Sequence, residues 1–332
     1  MSFLNKKVER RGKNVRKQYI EVPLPMSCGF LYKLWTRLKG ILLSPIYLVM
    51  AHIAGAPGIG FHLRCVATGI SLLLTGRASL KTYYGLIFFP MDSTRYFEFH
   101  EVWQCLKGHV FSRCLDVSSP RFMPLFLLKS RRVATVELLN PDPNDLRETE
   151  NLAIALGLKS RCQFFNGIPD NAEYIPASFD LITCISVLEH IPEDKNTIAA
   201  IWALLAPGGK LILTLPCMAQ PLEQYISDNP YGVLEPGEDG YTFWQRYYDS
   251  ERLETEIYSI TGRPTYIAVY GEKICGSFFR NVSMKRLIGF SYPFWREPYM
   301  MAREYKYFSS IDELPGEGVV VLQFLKKGEF DE

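Results

Sequence analysis

The 332-residue chain is 48% hydrophobic and 22% charged, which gives it enough apolar mass for a sizeable core and excludes a disordered, highly charged polymer. Its eight cysteines are scattered with no C-x-x-C pair, which argues against a disulfide framework or a metal-ligand spacing and for reduced core thiols in a reducing, cytoplasmic compartment. The net charge of +2 is uneven, with residues 1–39 carrying +8 and the rest −6.

The basic arm has two natural partners, a nucleic acid or an anionic membrane surface. The residues after it favour the membrane. Leu31, Leu34, Trp35, Leu38, Ile41 and Leu42 fall on one helical stripe with Lys33, Arg37 and Lys39 off it, so residues 1–39 read as a basic arm and an amphipathic helix. Residues 40–63 then run without a Lys, Arg, Asp or Glu. That length suffices for a bilayer, but Pro45, Gly55, Pro57, Gly58 and Gly60 argue against one continuous helix. An in-plane or re-entrant membrane contact ranks first, helices packed on the following domain second, and a spanning helix third. No cleavable signal peptide is expected, because the basic arm is long and the apolar run begins late. Residues 88–106, with Asp92, Arg95 and Glu98 among aromatics, complete a cap and lid over 40–104.

From residue 105 short apolar runs alternate with helical patterns: strands at 112–117, 132–138, 162–166, 179–185 and 210–216, with helices starting near Pro143 and Glu193. This alternation predicts an α/β fold, a mainly parallel sheet with helices on both faces and ligands at the carboxyl ends of its strands. Asp116 and Glu137 are read at the ends of the first two strands, 21 residues apart, a spacing that suits an acid accepting the two hydroxyls of a ribose. The turn after Asp116 is Val117-Ser118-Ser119-Pro120, with no glycine. Ser119 is expected to cap a helix starting at Pro120, leaving backbone N–H groups directed at a bound carboxylate, and Pro124 is expected to disturb the first turn.

Residues 178–216 hold Phe179-Asp180-Leu181, then Glu189-His190-Ile191, a helix, and Leu205-Ala206-Pro207-Gly208-Gly209 leading into a strand. In this order and spacing the segment resembles class I S-adenosylmethionine-dependent methyltransferases, over about residues 105–220. The resemblance implies a Rossmann-like seven-stranded sheet and S-adenosylmethionine as methyl donor, with no metal. It also implies a cofactor site at Asp116, Ser118, Ser119, Glu137 and Ser186. Ile168 stands where the family has an adenine-side Asp, so Asp170 and Asn171 take that role. His190 is the candidate general base, and Glu189 the group that orients substrate or cofactor.

Domains are expected at 1–39, 40–104 and 105–332, the last with an aromatic-rich insertion at about 221–308 before a final strand at 318–327. The acceptor is expected to be a small molecule, a glycan or a lipid-linked compound, and not a nucleic acid, because the C-terminal body is acidic. The protein is placed in the cytoplasm, at the membrane face. Two alternatives stay open: a methyltransferase-like scaffold that has lost catalysis, and a nicotinamide-dependent oxidoreductase, ranked last because G-x-G-x-x-G is missing.

Overall fold

The computed structural model describes residues 8–11, 15–21, 29–169, 174–228, 234–283 and 293–328. The chain starts with β1 (Val8–Arg11) and β2 (Val15–Ile20), an antiparallel pair. Four helices follow, α1 (Phe30–Ile53), α2 (Ile59–Thr75), α3 (Leu80–Phe88) and α4 (Arg95–Cys105). As expected, residues 40–63 are not one continuous helix, although Pro45 does not interrupt α1, which is continuous over 24 residues through Gly40 and Pro45. The break comes later, where Gly55 and Gly58 take left-handed conformations on either side of Pro57. At Gly58 a side chain is also excluded sterically, since a Cβ would lie 2.2 Å from the Tyr96 carbonyl oxygen.

The apolar stripe of α1 is not packed into the protein: Leu31, Leu34, Trp35, Leu38, Ile41 and Leu42 are all exposed. By contrast α2 belongs to the core. Its Phe61 ring lies 5.1 Å from Phe99 of α4 and 4.7 Å from Phe126, and its buried His62 Nδ1 is 2.9 Å from the Tyr96 hydroxyl. Part of the hydrophobic segment is therefore a fixed cap and part an uncovered surface. Among the described residues α1 is the one helix long and apolar enough to cross a membrane.

The methyltransferase-like region supplies β3 (Phe111–Val117), α5 (Phe122–Lys129), β4 (Val133–Asn140), α6 (Pro143–Ala155), β5 (Cys162–Asn166), β6 (Phe179–Ile185), α7 (Asp194–Leu204) and β7 (Leu205–Cys217). After it come β8 (Leu222–Ile226), β9 (Thr242–Tyr247), a helix α8 over residues 250–261 that widens at Leu253–Tyr258, β10 (Tyr266–Glu272), α9 (Glu297–Glu304), β11 (Tyr305–Phe308) and β12 (Gly318–Leu325). The central sheet has the order β11-β10-β12-β7-β6-β3-β4-β5, parallel from β7 to β5, with β12 antiparallel to β7. The stretch expected as an insertion thus gives β10 and β11 to the central sheet, which has eight strands instead of seven. Strand order reverses between β3 and β6, so a crevice opens at their carboxyl ends, the place where doubly wound sheets bind ligands.

Alternation along the strands builds two cores. Cys114, Leu181 and Ile185 face the layer of α2, α4, α5 and α6, whereas Leu115, Val117, Ile182 and Cys184 face the layer of α7 and α8. The second sheet, β1-β2-β8-β9, ties part of the basic arm to the chain: β2 runs parallel to β8, and Lys17 Nζ sits 4.8 Å from the Tyr225 ring centre.

Candidate functional site

The crevice between β3 and β6 is built on a buried acid. Asp116 Oδ1 accepts from Thr183 Oγ1 at 2.6 Å, and its Oδ2 accepts from the Ser119 N–H at 3.2 Å. Burial pushes its carboxyl up to about 6, and the two hydrogen bonds oppose that rise. Asp116 therefore holds the following turn from beneath. In that turn Ser118 has φ 50°, a left-handed conformation that glycine adopts most easily. Two bonds to one carbonyl fix it there, from the Ser118 N–H at 2.8 Å and Oγ at 3.0 Å to Leu139 O.

Ser119 does not cap a helix. Its Oγ accepts from the Ile185 N–H at 3.1 Å and pins the turn to β6, while α5 begins two residues after Pro120. The helix starts late enough that Pro124 falls in its first turn, where its missing N–H breaks no bond. The loop is held by serine hydroxyls where the family uses glycine.

Glu137 also departs from expectation. β4 continues through Leu138 and Leu139 to Asn140, so Glu137 lies three residues inside the strand and not at its end. Its Oε1 accepts from Arg113 Nε at 2.6 Å, and that guanidinium lies 4.5 Å from the Phe179 ring centre. The strand-end position belongs to Asn140, whose Oδ1 accepts from the Asp142 N–H at 2.9 Å while Asp142 caps α6. Arg113 is half exposed, so breaking this pair should lower stability by about 1–3 kcal/mol, below the range for a fully buried pair. Glu137→Ala is expected to melt earlier while binding S-adenosylhomocysteine within about threefold of wild type, and calorimetry showing a tenfold loss would return Glu137 to the ribose.

On the β6 side, Ser186 has φ 48° and gives its hydroxyl to Glu98 Oε1. Glu98 is fully buried, accepts from Thr214 Oγ1 at 2.7 Å and pairs with Arg95 Nη1 at 2.6 Å. The expected lid element, α4, is thus knotted to the carboxyl ends of β6 and β7. Glu189 follows in a short turn, 3% exposed, and its Oε2 has no hydrogen-bond partner among the described residues. Burial pushes its carboxyl up to about 8.

His190 Nδ1 is 2.6 Å from the Trp244 carbonyl, which can only accept, so Nδ1 carries the proton. Its Nε2 is then the basic nitrogen, 3.8 Å from Glu189 Oε1. Burial lowers His190 to about 4, leaving it neutral at physiological pH. β9 covers this turn and is anchored by Arg246, which pairs with the buried Asp194 at 2.5 Å and donates to Pro192 O at 2.8 Å. Tyr305 and Tyr247 donate to the half-buried Glu317 at 3.0 and 3.3 Å. Ile168 is described and partly exposed, whereas Asp170 and Asn171 lie outside the described residues. Sequence reasoning missed Asn140 because the strand runs past Glu137, and missed the contacts of Glu98 with Thr214 and of Trp244 with His190 because these partners are 116 and 54 residues apart.

The methyltransferase-domain family matches residues 69–255, more than half of the chain, and the chain belongs to that family. The resemblance to class I S-adenosylmethionine-dependent methyltransferases is borne out by this match. Short segments are similar to ubiquinone biosynthesis O-methyltransferases: 47% identity over 47 residues with that of Xanthomonas euvesicatoria pv. vesicatoria (strain 85-10), and 44% over 43 residues with that of Idiomarina loihiensis. These alignments cover 14% and 13% of this chain and 20% and 18% of the relatives, so the chain spans about a fifth of their length. Among solved structures, 1,6-didemethyltoxoflavin-N1-methyltransferase of Burkholderia thailandensis, bound to S-adenosylhomocysteine, has a TM-score of 0.42 at 13% identity, covering 69% of this chain and 76% of its own. Geranyl diphosphate C-methyltransferase of Streptomyces coelicolor A3(2) has a TM-score of 0.43 at 8% identity, covering 68% and 74%. The residues at the crevice fit such a cofactor: a buried acid beneath a left-handed turn, a polar residue ending β4, and an unpartnered carboxylate oxygen beside β6.

Proposed function

We infer that this methyltransferase transfers a methyl group to the hydroxyl of an amphipathic, lipid-linked acceptor presented at an anionic membrane surface. The observation that carries the chemistry is the unpartnered Oε2 of Glu189. A buried acceptor without a donor costs about 1–3 kcal/mol, and a ligand hydroxyl at that position would remove the cost. When bound, S-adenosylmethionine supplies an electrophilic sulfonium methyl whose C–S bond breaks as the bond to the acceptor forms, leaving S-adenosylhomocysteine. The Asp116–Ser118 turn and Asn140 hold it, Glu189 takes the acceptor's proton, and His190 with the Trp244 carbonyl closes the turn over the reacting groups.

The uncovered stripe of α1 supports the membrane part of the reading, with Leu42 72% exposed and Lys39 beside Trp35. Basic and apolar side chains on one exposed helix suit an anionic interface. The similarity to ubiquinone biosynthesis O-methyltransferases supports oxygen as the acceptor atom. Deleting everything before residue 80 would also remove Phe61, Cys65 and Leu72 from the core, so side-chain changes on α1 make the cleaner test.

The experiment offers S-adenosylmethionine with anionic vesicles carrying a prenylated phenol, against a water-soluble phenol and a fatty amine, and detects products by mass spectrometry. Wild type should yield the prenylated methyl ether, and Trp35→Glu/Leu42→Glu should float with vesicles at least about tenfold less while melting as wild type does. Methylation of the amine alone would overturn the oxygen reading. Equal flotation of the variant would leave α1 without a membrane role. The absence of glycine in the turn keeps a scaffold role as the second reading, which calorimetry with S-adenosylhomocysteine would establish by showing no heat at millimolar ligand in folded protein.

A further inference from the structure

Beside the crevice turn, whose Pro120 contributes to its wall, a half-open cavity of about 800 Å³ lies between α3, the start of α5 and α6. Its lining includes the cations Arg77, Lys81 and Arg121 and the apolar Leu86, Phe89 and Phe122. Arg121 is held by Asp145 and Glu148, and Lys81 Nζ stands 3.6 Å from Glu148. Arg77 has no ion pair among the described residues and is exposed. Three cations against two carboxylates leave the lining net positive. Leu80, next to Lys81, is 81% exposed, and Leu74 at the end of α2 is 82% exposed, so the basic lining lies beside side chains that have no protein to pack against.

One residue shows that the space is not filled where it cheaply could be. Gly85 lies in the interior of α3 and lines the cavity, and a Cβ added there would meet no atom within 4 Å. Elsewhere in the cap, Gly40, Gly58 and Gly69 are forced by contacts at 2.6, 2.2 and 2.8 Å. Gly85 has no such contact and a helix-interior φ, although glycine there destabilises a helix relative to alanine. Its effect is to keep the cavity open.

We propose that this cavity binds the headgroup and first acyl carbons of an anionic phospholipid, its phosphate between Arg77 and Lys81 and its chain along Leu86, Phe89 and Phe122. A free phosphate shares the headgroup chemistry, but apolar side chains lining the same cavity as the cations, and exposed leucines next to Lys81 and at the end of α2, fit a lipid. The proposal extends the membrane reading above and is tested apart from it, with monomeric short-chain lipid and full-length protein. Dihexanoyl-phosphatidylglycerol, below its micelle concentration, should raise the wild-type melting temperature by about 2–4 °C at ~10 times its Kd. Glycerol 3-phosphate should give no comparable shift.

Gly85→Leu fills the cavity with a better helix former, so it should fold at least as stably as wild type and lose the lipid shift. Arg77→Glu/Lys81→Glu should lose it as well and should float with anionic vesicles about tenfold less. No shift in wild type, or a full shift in Gly85→Leu, overturns the proposal. An equal shift with glycerol 3-phosphate replaces the lipid by a soluble phosphate compound and also overturns it. Wild type that responds to the short-chain lipid but does not float on vesicles keeps the cavity site and removes the membrane reading, and flotation with no response does the reverse.

Discussion

Glu189→Gln is expected to lower kcat on the hydroxyl acceptor by about 10²–10⁴-fold, the usual contribution of a general base, while S-adenosylhomocysteine binds within about threefold of wild type. Gln keeps the shape and loses only the ability to take a proton, so binding and chemistry separate. Burial sets the carboxyl near 8, and the base form is the unprotonated one, so the wild-type rate should climb with pH and level off above about 8. The Gln variant should show no such climb. Stability should move the opposite way. Below the ordinary carboxylate range both folded and unfolded chains hold the proton. Between there and about 8 the unfolded chain releases a proton that the folded chain keeps, so wild-type stability falls through this window as pH rises. The variant, neutral throughout, should therefore melt above wild type at pH 8 and close to it at pH 5. Wild-type kcat in the variant would remove Glu189 from the chemistry and pass the role of base to His190.

The second large effect is at Ser118. A leucine there should weaken S-adenosylhomocysteine binding at least a hundredfold, whereas Ser118→Gly should preserve it. The left-handed conformation at φ 50° disfavours any residue with a Cβ, and glycine would relieve that strain while losing the 3.0 Å bond from Oγ to Leu139 O. Those two changes are each about 1 kcal/mol and opposite in sign, so the melting temperature of the Gly variant should stay near that of wild type. Leucine keeps the strain, loses the hydroxyl bond and puts a bulky chain where the turn meets a ligand. Equal affinity in the Leu variant would take this turn out of the cofactor site and favour the scaffold reading.

The sheet is legible because its strands are short apolar runs ended by Asn, Gly or Pro; β5 and β6 begin and end where the sequence places them. The pattern ends β4 two residues early, since Glu137 looks like punctuation when its neutralising partner, Arg113, is 24 positions earlier. Separations of 66 and 88 residues hide the partners of Ser119 and Ser186: the Ser119 hydroxyl serves Ile185 instead of a local helix end, and the Ser186 hydroxyl serves Glu98. β10 and β11 escape a sequence reading because their aromatic-rich strands are defined by pairing with β12 and with each other, not by a local pattern. The αL turn at Ser118 leaves no mark on composition at all.

The parallel pairing of β2 with β8, Arg16 opposite Leu222, has a consequence for how the chain is made. At about 5–20 residues per second, translation takes on the order of 10–40 s to cover the interval between those partners. For all of that time β2 has no neighbour on one edge, while the apolar face of α1 is already synthesised and uncovered. A bilayer capturing α1 early would hold the nascent chain by its N-terminal end as the parallel core condenses behind it. β9, which supplies the carbonyl over His190, can dock only at the end of that sequence. A product truncated before β9 would therefore carry the exposed face of α1 without the strand that closes over His190.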